Sequence, residues 1–262
     1  MRADTPPYPM ATVKEHYARL LGPIYVWMSG GIDAALQAGS AEIEALNLPL
    51  SHGAVVLDLG AGFGMHSIPL ARRGAHVTAI DSSVELLCAL TEVAVDLPIR
   101  TVNDELLEFQ SHITEAPSAI LCMGDTITHL PDLGTVESLL ESVSAVLPLD
   151  GTFVVTFRDY SVPLAGDNRF VSVRSDDIRI LTCFLEYEPG SVLVHDILHQ
   201  STSDGWQAQV SHYRKLRLSP QHLVAGLQSN GFKVRRETGM RGMVRLVAVK
   251  HGRNTSRMPV RR

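Results

Sequence analysis

The chain has little cysteine. Cys88, Cys122 and Cys183 are the only three in 262 residues, widely spaced and without a C-x-x-C pair. That excludes a disulfide framework and a cysteine-bound zinc site, and all three read as small apolar core residues. No apolar run approaches the roughly 18 residues of a membrane span. The stretch Met1-Arg2-Ala3-Asp4-Thr5-Pro6-Pro7 also lacks the apolar centre of a secretion signal. The expected compartment is the cytoplasm, with no membrane partner, and the glycosylation-like Asn254-Thr255-Ser256 carries no meaning there. Internal repeats and low-complexity stretches are missing as well. Basic residues are short, at 23 against 28 acidic ones, so the net charge of −5 speaks against a nucleic-acid partner. From Lys250 onward there are five basic residues and no acid, which leaves 18 basic against 28 acidic residues, a net −10, on the rest. The end of the chain, 251–262, reads as a basic disordered tail.

What is present is 45% hydrophobic and 19% charged, an ordinary mix for a chain with a full core. Short β-branched runs at 54–59, 75–80, 99–102, 118–123 and 151–157 alternate with helical spacing at 66–73, 84–93 and 136–147. Parallel neighbours need crossovers, so this rhythm predicts an α/β fold with a mostly parallel sheet covered by helices on both faces. After 161 the period becomes two, over 178–187, 191–199 and 206–216, with Pro189-Gly190 and Ser203-Asp204-Gly205 as turns of an antiparallel meander. A helix over 220–229 and strands over 232–235 and 243–249 return to the first pattern and close the sheet edge. The resulting division is 1–50 helical, 51–160 core, 161–218 antiparallel insertion after strand five, 219–250 the rest of the core, and 251–262 tail.

The run Asp58-Leu59-Gly60-Ala61-Gly62-Phe63-Gly64 joins the first strand to the first core helix. Glycines there let the backbone turn sharply and let a ligand lie against it. Asp81, at the end of the second strand, is placed to accept both hydroxyls of a ribose, or else to cap the next helix. A dinucleotide turn is G-x-G-x-x-G. Here the third glycine comes one residue early, Met65 fills the expected place, and Asp58 would repel a pyrophosphate while suiting an ammonium group.

D-L-G-A-G-F-G followed by A-I-D-S-S resembles the class I S-adenosylmethionine-dependent methyltransferase family, and further motifs match in order. The resemblance implies a Rossmann-like seven-stranded sheet, an N-terminal helical lid and an antiparallel substrate cap. It also implies S-adenosylmethionine as cofactor and S-adenosylhomocysteine as product. On it, Asp58, Gly60, Ala61, Gly62, Gly64, Asp81 and Ser82 hold the cofactor, and Asn103-Asp104 supplies an acid for the adenine. Met123 and Gly124 lie by the methyl group, with Tyr25 and Trp27 on the lid, where Tyr17 also lies. The segment Leu121-Cys122-Met123-Gly124-Asp125-Thr126-Ile127-Thr128-His129-Leu130 resembles the G-N-S-F-A-H-L motif of glycine and sarcosine N-methyltransferases, with Asp125 in place of asparagine. Phe157-Arg158-Asp159-Tyr160 faintly resembles their R-N-Y-D stretch. No N-P-P-Y or D-P-P-Y is present, which speaks against base or glutamine methylation.

Methyl transfer needs an acceptor aligned in line with the donor and one proton removed or tolerated. His129 is the first choice for base or substrate contact, against a role in packing. Asp125 is read as a substrate or methionine-end contact, against an ordinary helix-start acid. Arg158 and Tyr160 follow the tip of strand five and are read as acceptor ligands, against an Arg158–Asp159 salt bridge. His195 and His199 share a strand face about 13 Å apart, so no metal site is expected. The chemistry expected is transfer to O, N or S of a small molecule. The alternatives are a non-catalytic S-adenosylmethionine-binding protein and, further off, an NAD-type oxidoreductase. There is room for a homodimer through the cap strands.

Overall fold

The computed structural model describes residues 10–252. The basic positions Arg253, Arg257, Arg261 and Arg262 lie outside the described residues. Lys250 belongs to the last strand, and its Nζ donates to the carbonyls of Ser144 and Leu147, neutralising a helix C-terminus.

Seven strands form one sheet: β1 (Val55–Leu59), β2 (His76–Asp81), β3 (Ile99–Asn103), β4 (Ala119–Cys122), β5 (Thr152–Phe157), β10 (Phe232–Thr238) and β11 (Val244–Lys250). Their order is β10-β11-β5-β4-β1-β2-β3, with β11 antiparallel to both neighbours and the remaining pairs parallel. This is the predicted α/β sheet. β4 and β5 are buried at every position, so their apolar runs show no alternation.

Alternate residues of these strands feed two cores. On one face Leu57, Ile120, Phe153 and Phe157 pack on helices α6 (Leu133–Val146) and α7 (Pro220–Ser229). On the other, Val56, Leu121 and Val154 meet α3 (Ile32–Leu46) and α4 (Ser67–Arg72), with α5 (Val84–Val93) beside them. Ser83 caps α5 by accepting from the Leu86 amide, and Ser219 caps α7 through His222. α6 begins before the predicted 136 because Asp132 accepts from the Thr135 amide at 2.7 Å. Cys122 and Cys183 are buried and half-buried, but Cys88 is on the exposed side of α5, which corrects its reading as core.

A second sheet, β6 (Phe170–Ser175), β7 (Arg179–Tyr187), β8 (Ser191–Thr202) and β9 (Gly205–Leu216), is wholly antiparallel. β6 escapes the period-two reading because a register shift between Ser172 and Arg174 breaks its alternation. The inner face of this sheet meets the N-terminal helices α1 (Val13–His16) and α2 (Gly22–Met28), where Leu20, Leu21 and Ile24 pack on Leu181 and Leu198. A π-helical turn, Tyr17–Leu21, joins those helices just before Pro23, which has no amide to continue the ladder to Arg19.

Candidate active site

β1 and β4 are adjacent although their helices leave on opposite faces, and ligands of open α/β sheets bind at such a crevice beyond the strand tips. A cavity of about 870 Å3 opens there, bounded by the N-terminal helices and the inner face of the second sheet. Five of the six tyrosines in the chain are on its wall: Tyr17, Tyr25, Tyr160, Tyr187 and Tyr213.

The glycine turn forms its floor. Gly60 has φ +74°, and a Cβ there would stand 2.4 Å from a Thr126 methyl, so only glycine lets the tips of β1 and β4 close together. The amides of Gly60 and Ala61 donate to Ile80 O, and the Gly62 amide donates to Asp81 Oδ2 at 2.8 Å. Asp81 Oδ1 accepts from the Ser83 amide at 2.8 Å. The carboxylate therefore ties the turn to the start of α5 and faces the cavity with its remaining lone pairs. Burial raises its pKa, opposed by the two backbone amides.

Asp104 reaches the wall between two donors, His112 Nε2 at 2.8 Å and the Glu105 amide at 2.9 Å. The His112 contact holds its pKa below the usual range. Ala61, Ser82, Met123 and Gly124 complete this end with Tyr25, whose phenol burial pushes up.

Four predicted cofactor residues stand off the wall. Asp58 is buried beneath the turn, where its Oδ2 accepts from Ser67 Oγ at 2.6 Å, and burial raises its pKa. Gly64 serves helix packing, since a Cβ would meet Leu90 Cδ1 at 2.2 Å. Asn103 turns its amide to the Asp81 carbonyl. Trp27 points to the second sheet, with its Nε1 donating to Asp176 and Arg179 4.5 Å over its ring.

The other end gathers all four predicted catalytic residues. Asp125 is 3% exposed and has φ +78°, a left-handed backbone uncommon outside glycine. Its carboxylate accepts from the Arg158 amide (2.8 Å), Tyr160 Oη (3.2 Å) and Lys215 Nζ (2.5 Å). It is thus fully engaged by the protein. Asp159 accepts from Ser161, so the Arg158–Asp159 bridge does not form, and the Arg158 guanidinium is exposed on the wall. Burial, then the Asp125 charge, holds the Tyr160 phenol well above its usual pKa.

His129 is wedged edge-on between Tyr17 and Tyr213, each 5.7 Å away. Its Nε2 is shut off from solvent and has no hydrogen-bond partner among the described residues. Burial, then the charges of Lys215 and His16, push its pKa well below the ordinary value. The ring is therefore neutral at physiological pH.

The sequence reading missed Lys215, Arg217 and His16. Arg217 pins the loop after β5 by donating to the carbonyls of Tyr160, Ser161 and Glu188. His16, fully buried, bridges Asp196 Oδ2 (2.9 Å) and Ser211 Oγ (2.7 Å) and stacks on Tyr213. An inward-facing Lys in a period-two run was the available signal for Lys215, and a His on the apolar side of an N-terminal helix for His16. His195, on the outer face, pairs with Glu186.

Residues 56–151 match the family model described as a methyltransferase domain. The chain is 36% identical over 116 residues to a glycine/sarcosine N-methyltransferase of Aphanothece halophytica, an alignment covering 43% of this chain and 44% of that protein. It is 31% identical over 201 residues to a ubiquinone biosynthesis O-methyltransferase of Xylella fastidiosa, covering 74% of this chain and 66% of that one. The chain thus spans less than half of the first of these relatives and about two thirds of the second. Among solved structures, DesVI of Streptomyces venezuelae superposes with a TM-score of 0.71 at 16% identity, over 93% of this chain and 100% of that one, a likeness of fold. Glycine turn, strand order and sequence relatives agree, and the chain belongs to the class I S-adenosylmethionine-dependent methyltransferases.

Proposed function

We propose that the protein transfers a methyl group from S-adenosylmethionine to an O, N or S atom of a small molecule. One observation carries this reading: the glycine turn with Asp81 and Asp104, and the group of His129, Asp125, Tyr160 and Arg158, line two ends of the same cavity. The cofactor fits the first end. Gly60 and Gly62 turn the chain at the cavity wall with positive φ, and Asp81 and Asp104 are fixed by protein donors yet keep lone pairs for hydroxyl and amino hydrogens. The ammonium contact read at Asp58 finds no support, because that carboxylate is buried off the wall.

S-adenosylmethionine, when bound, supplies an electrophilic methyl carbon on a sulfonium. The remaining work falls to the chain. Tyr17 and Tyr25 from the N-terminal helices and Tyr213 from β9 wall off water. Asp125 fixes the Arg158 backbone and the Tyr160 hydroxyl, so the acceptor meets a rigid surface. His129, neutral and with Nε2 unpaired, serves in this reading as base or substrate contact where the acceptor is a hydroxyl or protonated amine. The division into lid (1–50), core (51–160 and 219–250) and cap (161–218) belongs to this reading, because lid and cap together enclose the acceptor and disfavour a macromolecule. A homodimer through the outer cap face also belongs to it, supported by exposed Phe170, Ile178, Ile180 and Trp206. Sedimentation of Ile180→Glu would separate monomer from dimer.

The test is calorimetric titration with S-adenosylmethionine, S-adenosylhomocysteine and NAD, repeated on Asp81→Ala. Saturable binding of the two adenosyl ligands, lost in the variant, supports the reading. Binding of NAD alone, or of none, ends it.

A further inference from the structure

Three features of the Asp125 end of the cavity bear on what it can hold. Arg158 lines the cavity, and its guanidinium takes part in no ion pair or hydrogen bond among the described residues, while its backbone is locked by Asp125. Lys215, the other cation at this end, is consumed by Asp125. Next, the loop and strand that follow Arg158 place Val162, Leu164 and Val171 on the cavity wall while leaving them 70%, 42% and 37% exposed. Exposed apolar side chains that cluster at the mouth of a cavity mark contact with an apolar partner. Finally, the wall carries the half-buried rings of Tyr17 and Tyr187, with Tyr160 and Tyr213 buried beside them. A planar ring stacks on such surfaces with little entropy loss.

Resting on the methyltransferase reading above, we infer that the acceptor is an aromatic acid with an apolar substituent: its ring lies among the tyrosines, its anionic group pairs with Arg158, and its apolar arm leaves over Val162, Leu164 and Val171. The pairing is charge-assisted, and the fork of the guanidinium suits a carboxylate in two-point contact. The acidic side chains at this end do not oppose the anion. Asp125 is paired with Lys215, Asp196 is hydrogen-bonded to His16 Nε2, and Asp159 accepts from the amide and hydroxyl of Ser161.

The test uses the full chain saturated with S-adenosylhomocysteine and three probes in calorimetry: 4-hexylbenzoate, the neutral 4-hexylbenzamide, and benzoate without the alkyl arm. The acid is expected to bind about five- to tenfold more tightly than the amide, the gain of one partly exposed charged contact. Removal of the arm is expected to weaken binding at least tenfold. Arg158→Gln, at an exposed side chain that supports no fold contact, should erase the preference for acid over amide, and Val162→Asp should erase the preference for the arm. Arg241→Gln, at a second exposed arginine on the wall, should leave both preferences intact. Equal binding of acid and amide, loss of the preference in Arg241→Gln but not Arg158→Gln, or failure of every probe to bind the S-adenosylhomocysteine-loaded protein overturns the inference and spares the cofactor reading. Failure of S-adenosylhomocysteine itself to bind overturns both.

Discussion

Lys215 on the last strand of the second sheet donates to Asp125 at the tip of the core sheet across 2.5 Å, with only 11% and 5% of the two side chains exposed. The contact joins the two sheets beside the cavity. Removal of one partner leaves a buried charge, and such losses run to about 3 kcal/mol or more, whereas removal of both is far milder. Lys215→Met should therefore lower the unfolding free energy in urea by about 3 kcal/mol, and adding Asp125→Asn should recover more than half of that. A single-variant loss under about 1 kcal/mol, or no recovery in the double variant, would show that the pair is solvated and does not hold the sheets together.

His129 gives a pH prediction whose sign follows from burial. Its pKa in the folded protein lies below the ordinary histidine value, so the unfolded chain takes up the proton first as pH falls. Stability is complete above about pH 6.5 and declines as pH drops through that value toward the folded pKa. Substitution by Gln should flatten this limb in denaturation curves between pH 7 and 5. A ring NMR titration with a midpoint at or above 6.5 would contradict it. If the ring is the base, the same variant should lower kcat by at least about a hundredfold while leaving S-adenosylhomocysteine affinity unchanged.

The parts of the site legible in the sequence are the local ones. The glycine turn and Asp81 announce themselves because a strand, a tight turn and an acid about twenty residues on are each encoded within a few positions. The segment 121–130 stands out for the same reason. The pairings of Lys215 and His16 were illegible, whatever their local patterns hinted, because their partners lie 90 and 180 residues away and the second sheet's register decides which side chains face inward. Asp58 shows the opposite failure. Its position in the motif suggested a ligand contact, but the end of β1 is buried, and the carboxylate turns inward to the Ser67 hydroxyl. β6 was hidden by its bulge. Gly39, in the middle of α3, gave no sign of its role until Met65 was seen packed against it.

That glycine carries its own prediction. In an exposed helix, Gly→Ala stabilises by up to about 1 kcal/mol. At position 39 a Cβ would stand 1.9 Å from the Met65 carbonyl oxygen, which is backbone leading out of the glycine turn and cannot swing aside. Gly39→Ala should instead destabilise by about 2 kcal/mol and weaken S-adenosylhomocysteine binding, because the shifted segment carries Phe63 and Met65 on the cavity wall. A rise in Tm would sink the argument that α3 sets the height of the turn.

His16 makes the last prediction, because it is the only polar tie seen between α1 and the inner face of the second sheet that is buried at both ends among the described residues. Nε2 faces Asp196 and Nδ1 faces Ser211, so the side chain has no spare donor and the carboxylate no other charged partner. The ring also stacks on Tyr213 at 4.1 Å, which places it directly behind the wall that holds His129. His16→Ala removes the contact and strands the Asp196 carboxylate, so the helices over 13–28 should open more readily than the core sheet does. In hydrogen exchange, amides of 13–28 should speed up at least tenfold, with β1, β4 and β5 unchanged. A double variant, His16→Phe with Asp196→Leu, keeps the shape and removes both polar groups, which is close to neutral when the packing survives. It should restore protection of 13–28. Uniform acceleration across the whole chain in His16→Ala would mean that the N-terminal helices and the core open as one unit, and that those helices cannot gate the cavity independently.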